Sequence, residues 1–161
     1  MEANTNRDKA IRDITNKIEI EDIIKRARFC HIGMIDGDEP YILGFNYGYK
    51  DGFLYLHCSK YGHKLDVLAK NNKICAAFDV DHEFFSRHEQ VACSWRMRYH
   101  SVLAWGNAET VDDYNEKVEA LRIIMAHYTE MDFEFNPPSV NNVNILKIKV
   151  TRMSGRKFEI I

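Results

Sequence analysis

The spacing of apolar and polar residues predicts a chain built mainly of short β-strands. Apolar and aromatic residues dominate or alternate along six segments, most of them bounded by turn residues. These segments are 29–35, 40–49, 53–59, 74–80, 99–111 and 143–150. The tight turns at 36–38 and 50–52 join the first three into an antiparallel meander. Six closely spaced strands with few helices between them predict a closed or nearly closed antiparallel barrel.

Three further segments have apolar residues at helical spacing. They are 17–28, 60–71 and 112–128. Asp112 or Asp113 can cap the third, and Glu116 forms a capping-box pattern with Asp113. The remaining segments predict irregular structure: a loose lead-in over 1–16, a polar segment over 81–92, a loop over 129–142 and a turn at 154–155. With no internal repeat or linker, a single domain over 1–161 is expected.

Composition and charge narrow the classes of partner. Hydrophobic residues make up 45% of the 161 positions and charged residues 29%, as in a globular domain. The net charge of −2 argues against nucleic acid as a partner. No apolar run approaches the roughly 20 residues of a membrane helix, and the polar start has no secretory signal pattern. Four dispersed cysteines, with Cys30 and Cys75 expected to be buried thiols, favour the cytoplasm.

The segment from Gly52 to Asn71 carries the main chemical signal. It predicts a strand, a polar turn and a short helix, with Ser59, Gly62, His63 and Lys64 grouped where the helix begins. A helix N-terminus with a hydroxyl and a cation is suited to bind phosphate. The segment therefore favours a phosphorylated cofactor with His57 near its reactive part, and the alternative is an ordinary basic turn. No Walker or GxGxxG pattern supports ATP or Rossmann dinucleotide binding.

A metal site is not predicted. His82, His88 and Cys93 fall within twelve residues, but their spacing matches no structural zinc pattern. Neighbouring residues on a strand point to opposite faces, so His57 and Cys58 are poorly placed to share one metal ion.

Two other segments leave alternatives open. Cys58 lies close in sequence to Lys60, His63 and Lys64, so it is a candidate nucleophile, although a buried structural thiol is the commoner case. The segment 93–101 combines two arginines, two aromatic residues and two hydroxyls. It is either a solvated strand start, one wall of a site for a planar ligand, or a subunit interface.

Four stretches together carry a family resemblance. They are PYILGFNYGY (40–49), GFLYLHCSKYGHKLD (52–66), CSWRMRYHSVLAWGNAE (93–109) and TRMSGRK (151–157). In order and spacing they resemble the FMN-binding split-barrel proteins related to pyridoxamine 5′-phosphate oxidase, and within them the nitroimidazole-resistance reductase branch. The resemblance covers most of residues 20–157. It implies a mainly β, six-stranded antiparallel split barrel that forms a homodimer with FMN at the subunit interface.

The resemblance also implies roles for individual residues. The backbone of Gly44, Phe45 and Asn46 would run along the flavin ring, and Ser101 would add a polar side chain near it. The strand end at His57, Cys58 and Ser59 would contact the flavin and its ribityl chain. Gly62, His63 and Lys64 would hold the phosphate. His57 would face the substrate and is the candidate catalytic residue.

Three positions depart from the family pattern. His63 stands where an arginine is usual, and a histidine is only partly charged near neutral pH. Phosphate affinity is therefore expected to be lower or pH-dependent. Gly44 replaces the usual proline, and His100 replaces the usual arginine before Ser101. These changes leave FMN as the expected cofactor and bear more on the substrate.

The implied function is an FMN-dependent oxidoreductase. It would take electrons from NAD(P)H or another donor and reduce a small electron-poor acceptor, such as a nitroaromatic compound. A flavin carrier or redox sensor without turnover is an alternative, because no second catalytic group is evident. Oxidation of vitamin B6 phosphates is a further alternative, which the short C-terminal tail disfavours. A haem-binding or other tetrapyrrole-binding relative on the same barrel is the last.

Overall fold

A computed structural model describes residues 11–158, which form eight β-strands, four α-helices and one short 3-10 helix at Ala92–Ser94. The strands are β1 (Ile11–Ile14), β2 (Cys30–Asp36), β3 (Glu39–Phe45), β4 (Tyr47–Lys50), β5 (Phe53–Ser59), β6 (Lys73–Ser86), β7 (Trp95–Val111) and β8 (Val143–Phe158). The helices are α1 (Lys17–Arg26), α2 (His63–Lys70), α3 (Tyr114–Ala126) and α4 (Pro137–Asn141).

The strands form one sheet in the order β3-β2-β6-β7-β8-β5-β4, with β1 also paired to β8. Within residues 11–158 this path has two ends, β3 and β4, so the sheet is open. A mainly β protein with few helices is confirmed, but the sheet has eight strands where six were predicted. One extra strand arises at Asn46, where the chain changes partner: Phe45 pairs with Cys30 of β2, whereas Tyr47 pairs with Leu56 of β5.

The other extra strand and several extensions lie where irregular structure was predicted. β1 occupies part of the predicted lead-in, whose first ten residues lie outside the described part. β6 continues to Ser86 and β8 to Phe158, so the predicted loop start at 81 and the turn at 154–155 are wrong. Gly155 pairs with Ile14 in β1, and a β-carbon there would lie 2.9 Å from Cβ of Ile14. Its glycine therefore permits close packing of two strands and makes no turn.

The helix predictions hold with small changes. Asp113 caps α3 and accepts a hydrogen bond of 2.8 Å from the backbone N–H of Glu116, as its pattern predicted. In α2 the buried residues are Val67 and Leu68, whereas Ala69 is exposed. The predicted loop over 129–142 contains α4, which Asn136 caps.

The described residues divide into two compact units. The first unit comprises 11–27, 78–103 and 153–158, and the second comprises 28–77 and 104–152. In the first unit, α1 buries Ile20, Ile23 and Ile24. The second unit has an apolar cluster between α3 and the sheet, formed by Val111, Ala120, Ile124 and Ile145, with Tyr55, Leu121, Tyr128 and Val143 packed around it. The single domain remains a prediction.

None of the helices within residues 11–158 combines the length and apolar character needed to cross a bilayer.

Candidate functional site

The turn between β5 and α2 presents a helix N-terminus without a side-chain cap. Gly62 occupies the cap position with φ of 135°, a backbone conformation that favours glycine. No side chain accepts a hydrogen bond from the first turn of this fully described helix. The first N–H groups of a helix lack intrahelical partners and carry a partial positive charge. This N-terminus is therefore suited to an anionic group.

Two polar side chains lie in the turn that leads into this helix N-terminus. Ser59 is exposed at the end of β5, and its Oγ accepts a hydrogen bond of 3.3 Å from the backbone N–H of Tyr61. Lys64 is half-buried, and its Nζ lies 3.4 Å from where a β-carbon would stand at Gly62. A hydroxyl, an ammonium group and backbone N–H groups thus lie within one short segment, 59–64. This donor set matches a phosphoryl group. We call Ser59, Gly62, His63 and Lys64 the phosphate turn.

The His63 side chain has a partner that the sequence does not reveal. Its Nε2 lies 2.5 Å from Oδ2 of Asp36, which ends β2. The two side chains are 57% and 33% exposed. The ring of Tyr41 in β3 packs edge-on against the imidazole, with 5.4 Å between ring centroids. A carboxylate therefore lies next to the phosphate turn. The sequence predicted Asp36 only as part of a hairpin turn.

The two faces of β5 separate its polar residues. His57 and Ser59 are exposed on one face, and Cys58 lies on the core face with 9% exposure. The Cys58 side chain therefore points away from the His57 side chain. A ligand on the exposed face could contact only the backbone of Cys58. Burial raises the pKa of the Cys58 thiol, and the nearby charge of Lys64 opposes this only in part. These facts disfavour the thiolate that nucleophilic catalysis requires.

The end of β3 alternates in the same way. Gly44 and Asn46 are exposed, whereas the side chain of Phe45 is buried. The ring of Phe29 packs directly against the α-carbon of Gly44 and occupies the position of a β-carbon. A protein side chain therefore approaches the backbone closely at this mid-strand glycine. Phe29 is itself half exposed.

Comparison with known proteins decides the family. The family model described as pyridoxamine 5′-phosphate oxidase matches residues 16–157. The chain belongs to this family. No curated protein matches the chain.

Among solved structures, this family member is similar to a candidate 5-nitroimidazole antibiotic resistance protein of Bacteroides thetaiotaomicron. The two sequences are 36% identical, the TM-score is 0.81, and the match covers 92% of this chain and 89% of that one. The resemblance to the nitroimidazole-resistance branch is therefore confirmed at the level of similarity.

Two more distant structures share the fold. The flavocytochrome Anf3 of Azotobacter vinelandii has a TM-score of 0.77 at 15% identity, over 99% of this chain and 75% of that one. An FAD-binding protein of Mycobacterium smegmatis has a TM-score of 0.64 at 18% identity, over 92% and 99% of the two chains. At these identities the likeness establishes the pyridoxamine 5′-phosphate oxidase fold and nothing finer.

Ser101, which the family resemblance places near the flavin ring, belongs to the first unit. It is half-buried in β7, next to the buried Val102. Its role at a flavin ring stays a prediction. All other predicted site residues lie in the second unit.

The segment 93–101 ends the 3-10 helix and then forms the first part of β7, which has one apolar exposed face. Trp95, Met97, Tyr99 and Leu103 alternate along β7 and are all exposed. The ring of Trp95 stacks on Phe84 with 4.9 Å between centroids, and its Nε1 donates to the backbone carbonyl of Glu89 at 3.2 Å. These contacts fix the first part of the face.

His82 and the backbone of His88 make local contacts. His82 Nε2 pairs with Asp79 at 2.7 Å. The carbonyl of His88 accepts a hydrogen bond of 2.6 Å from Ser94. Across residues 11–158 no group of three histidine, cysteine or acidic side chains is arranged to hold a metal ion.

One cavity was not anticipated. It has a volume of about 360 Å³ and lies where α3 ends and the following loop begins. Its lining consists of Arg122, Met125, Ala126, Thr129, Glu130, Met131, Asp132, Phe133 and Phe135. The scattered apolar residues of this loop have no helical or strand period, so the sequence carried no signal for it.

Proposed function

We propose that this protein binds FMN and acts as an oxidoreductase that reduces small electron-poor acceptors. The observation that carries the proposal is the phosphate turn, in which an uncapped helix N-terminus, a hydroxyl and an ammonium group converge. Membership of the pyridoxamine 5′-phosphate oxidase family and similarity to a candidate nitroimidazole resistance protein support it.

The chemistry of the donor set fits the phosphate of FMN. A phosphate monoester carries close to two negative charges near neutral pH and offers three acceptor oxygens. In our proposal Lys64 supplies the charge, and Ser59 and the first N–H groups of α2 supply hydrogen bonds. The cavity at the end of α3 is not needed for this role.

The exposed faces of β3 and β5 suit the rest of the cofactor. At the end of β3, Asn46 is exposed, and the Phe29 ring partly covers Gly44 on the same face. His57 lies on the same face of β5 as Ser59, about 7 Å further along the strand. His57 would therefore stand beyond the phosphate in the direction of the ring, where it would orient the acceptor or donate a proton. A bound flavin supplies the redox chemistry, passing electrons from a donor such as NAD(P)H to the acceptor.

We further propose a cytoplasmic homodimer. The exposed apolar face of β7, with Trp95, Met97 and Tyr99, has the aromatic and methionine content that is enriched in subunit interfaces. Sedimentation analysis should give twice the chain mass, and substitution of Trp95 by aspartate should shift the protein toward the monomer.

The decisive experiment begins with the cofactor. Purified protein should be yellow, and the released molecule should have the mass of FMN. Release of FAD, a Soret band or colourless protein that does not take up FMN would each contradict the proposed cofactor.

Turnover is tested with the FMN-loaded protein under anaerobic conditions. NADH or NADPH should bleach the flavin absorption, and a nitroimidazole should restore it. Absence of bleaching with either nucleotide would favour a flavin carrier. Oxidation of pyridoxine 5′-phosphate in place of nitroimidazole reduction would favour the vitamin B6 alternative.

A further inference from the structure

We propose that Asp36 positions His63 so that binding of the FMN phosphate is coupled to uptake of one proton by His63. This inference rests on the proposed FMN site and deepens it, because it names a regulation of cofactor binding by pH. Asp36 is assigned as a positioning residue and His63 as the group that takes up the proton from solvent.

The two ring nitrogens of His63 have different roles. Nε2 lies 2.5 Å from Oδ2 of Asp36. An ionised carboxylate has no proton to donate, so it accepts this hydrogen bond. Nε2 therefore carries the proton of the neutral ring, and Nδ1 is left with a lone pair. Nδ1 is bonded to Cγ, so it is the ring nitrogen nearer the backbone of His63.

A bound phosphate would interact differently with the neutral and the protonated imidazole. A lone pair on Nδ1 repels a phosphate oxygen, whereas Nδ1–H of an imidazolium donates to it. A doubly charged phosphate next to Asp36 would also leave two anions close together. An imidazolium between them is stabilised by both, so the bound phosphate favours protonation of His63.

The imidazole of His63 has neighbours on β2, on β3 and in its own turn and helix. Asp36 approaches from the end of β2 and the Tyr41 ring from β3. In the same turn and in α2, the charges of Lys60 and Lys64 oppose protonation of His63, and the charge of Asp66 favours it. Within residues 11–158, Asp36 is the one charged side chain that contacts the imidazole.

The predicted sign follows from linkage. If the complex holds one more proton than the separate partners, affinity rises as pH falls, by up to about tenfold per pH unit. An arginine at position 63, which is permanently charged, takes up no proton. The family's usual residue is thus also the natural control.

The experiment measures the dissociation constant of FMN by titration of the apoprotein from pH 6 to 8.5, for the native protein, His63→Arg and Asp36→Asn. All three experience the same titration of the FMN phosphate, so differences between curves report on the protein. We expect native affinity to fall at least about fivefold more than that of His63→Arg over this range. The Asp36→Asn curve should lie at lower pH than the native curve.

A second measurement counts protons directly. Calorimetric titrations in two buffers of different ionisation enthalpy give the protons taken up on binding. Near pH 7.5 the native protein should take up more protons than His63→Arg. Riboflavin, which lacks the phosphate, should bind all three proteins alike, and this checks that the variants are folded.

Parallel FMN curves and equal proton counts in native protein and His63→Arg would overturn the coupling while leaving FMN binding intact. An Asp36→Asn curve that coincides with the native one would remove Asp36 from its positioning role. Failure of FMN to bind the native protein at any pH would instead overturn the proposed function.

Discussion

The phenol oxygen of Tyr128 accepts a hydrogen bond of 2.9 Å from the backbone N–H of Tyr47. Tyr47 is fully buried and begins β4, just after the chain has left β2 and turned to β5. The adjacent His127 ring packs on Tyr47 with 4.3 Å between centroids. The end of α3 thus holds the point at which the predicted second strand divides.

Removal of this acceptor should destabilise the fold. In Tyr128→Phe the N–H of Tyr47 loses its bond to the phenol oxygen, and loss of a partner by a buried donor costs about 1–3 kcal/mol. Urea unfolding should show this decrease, whereas Tyr61→Phe, at a position 83% exposed, should leave the unfolding free energy unchanged. Equal stability of both variants would mean that the hydrogen bond contributes nothing.

Gly48 should resist even the smallest side chain. A β-carbon there would lie 2.6 Å from the carbonyl oxygen of Ile123, and the backbone of α3 cannot rotate away. We expect Gly48→Ala to lower the unfolding free energy by about 1–3 kcal/mol, as overpacking does. Gly33→Ala is the matched control, because its β-carbon would stand 3.4 Å from the nearest atom, a carbonyl oxygen. A smaller effect at Gly48 than at Gly33 would contradict the close packing.

Lys64 should account for a measurable part of cofactor affinity. Lys64→Ala removes a charge-assisted bond to the phosphate, so the dissociation constant of FMN should rise at least tenfold, equivalent to about 1.4 kcal/mol. Lys70→Ala, at the opposite end of α2, should have little effect. Riboflavin affinity should not change in either variant. An unchanged FMN affinity in Lys64→Ala would remove the phosphate from this turn.

His57 should affect turnover more than binding. Its side chain is exposed on β5 and lies apart from the phosphate turn, so His57→Ala should retain FMN affinity within about twofold. The rate at which nitroimidazole reoxidises the reduced protein should fall. His88→Ala replaces another exposed histidine and serves as the control. Equal reoxidation rates in His57→Ala and native protein would exclude His57 from the reaction.

Acid should weaken the first unit through Asp81. Hydrogen bonds from Arg26 hold the pKa of this carboxyl below its ordinary value of 3.8, and His100 adds to the effect. Because the folded-state pKa is the lower one, the stabilisation is complete above about pH 4 and is lost as pH falls through the folded-state value. The difference in stability between native protein and Asp81→Asn should therefore shrink below pH 4. A difference independent of pH would show that the charge is not involved.

The sequence predicted the parts of this fold that hydrophobic spacing controls. β2 buries Cys30, Ile32 and Met34 at every second position, so its period is visible along the chain. The outer part of β6 is exposed on both faces from Asp81 to Glu83, and there the pattern of a strand disappears. Backbone pairing with neighbouring strands holds such a segment extended, and this cannot be read from one sequence.

The candidate site shows the same division. Ser59, Gly62 and Lys64 are close in sequence, so their convergence at the start of α2 was predictable. Asp36 lies 27 residues from His63, and only the folded sheet brings the carboxylate to the imidazole. Such a contact between residues far apart in sequence depends on the tertiary structure. A local sequence motif therefore cannot predict its effect on the charge of the site.

The burial of Cys30 offers a labelling probe that needs no engineering. Its side chain has no exposed surface, its Sγ lies 3.6 Å from the carbonyl of Phe45, and burial raises the pKa of the thiol to about 12. Iodoacetamide reacts with thiolates, so Cys30 is protected while β2 and β3 remain paired. Cys93 is exposed and provides an internal reference for the reagent. The alkylation rate at Cys30 thus reports how often this end of the sheet opens in the native protein.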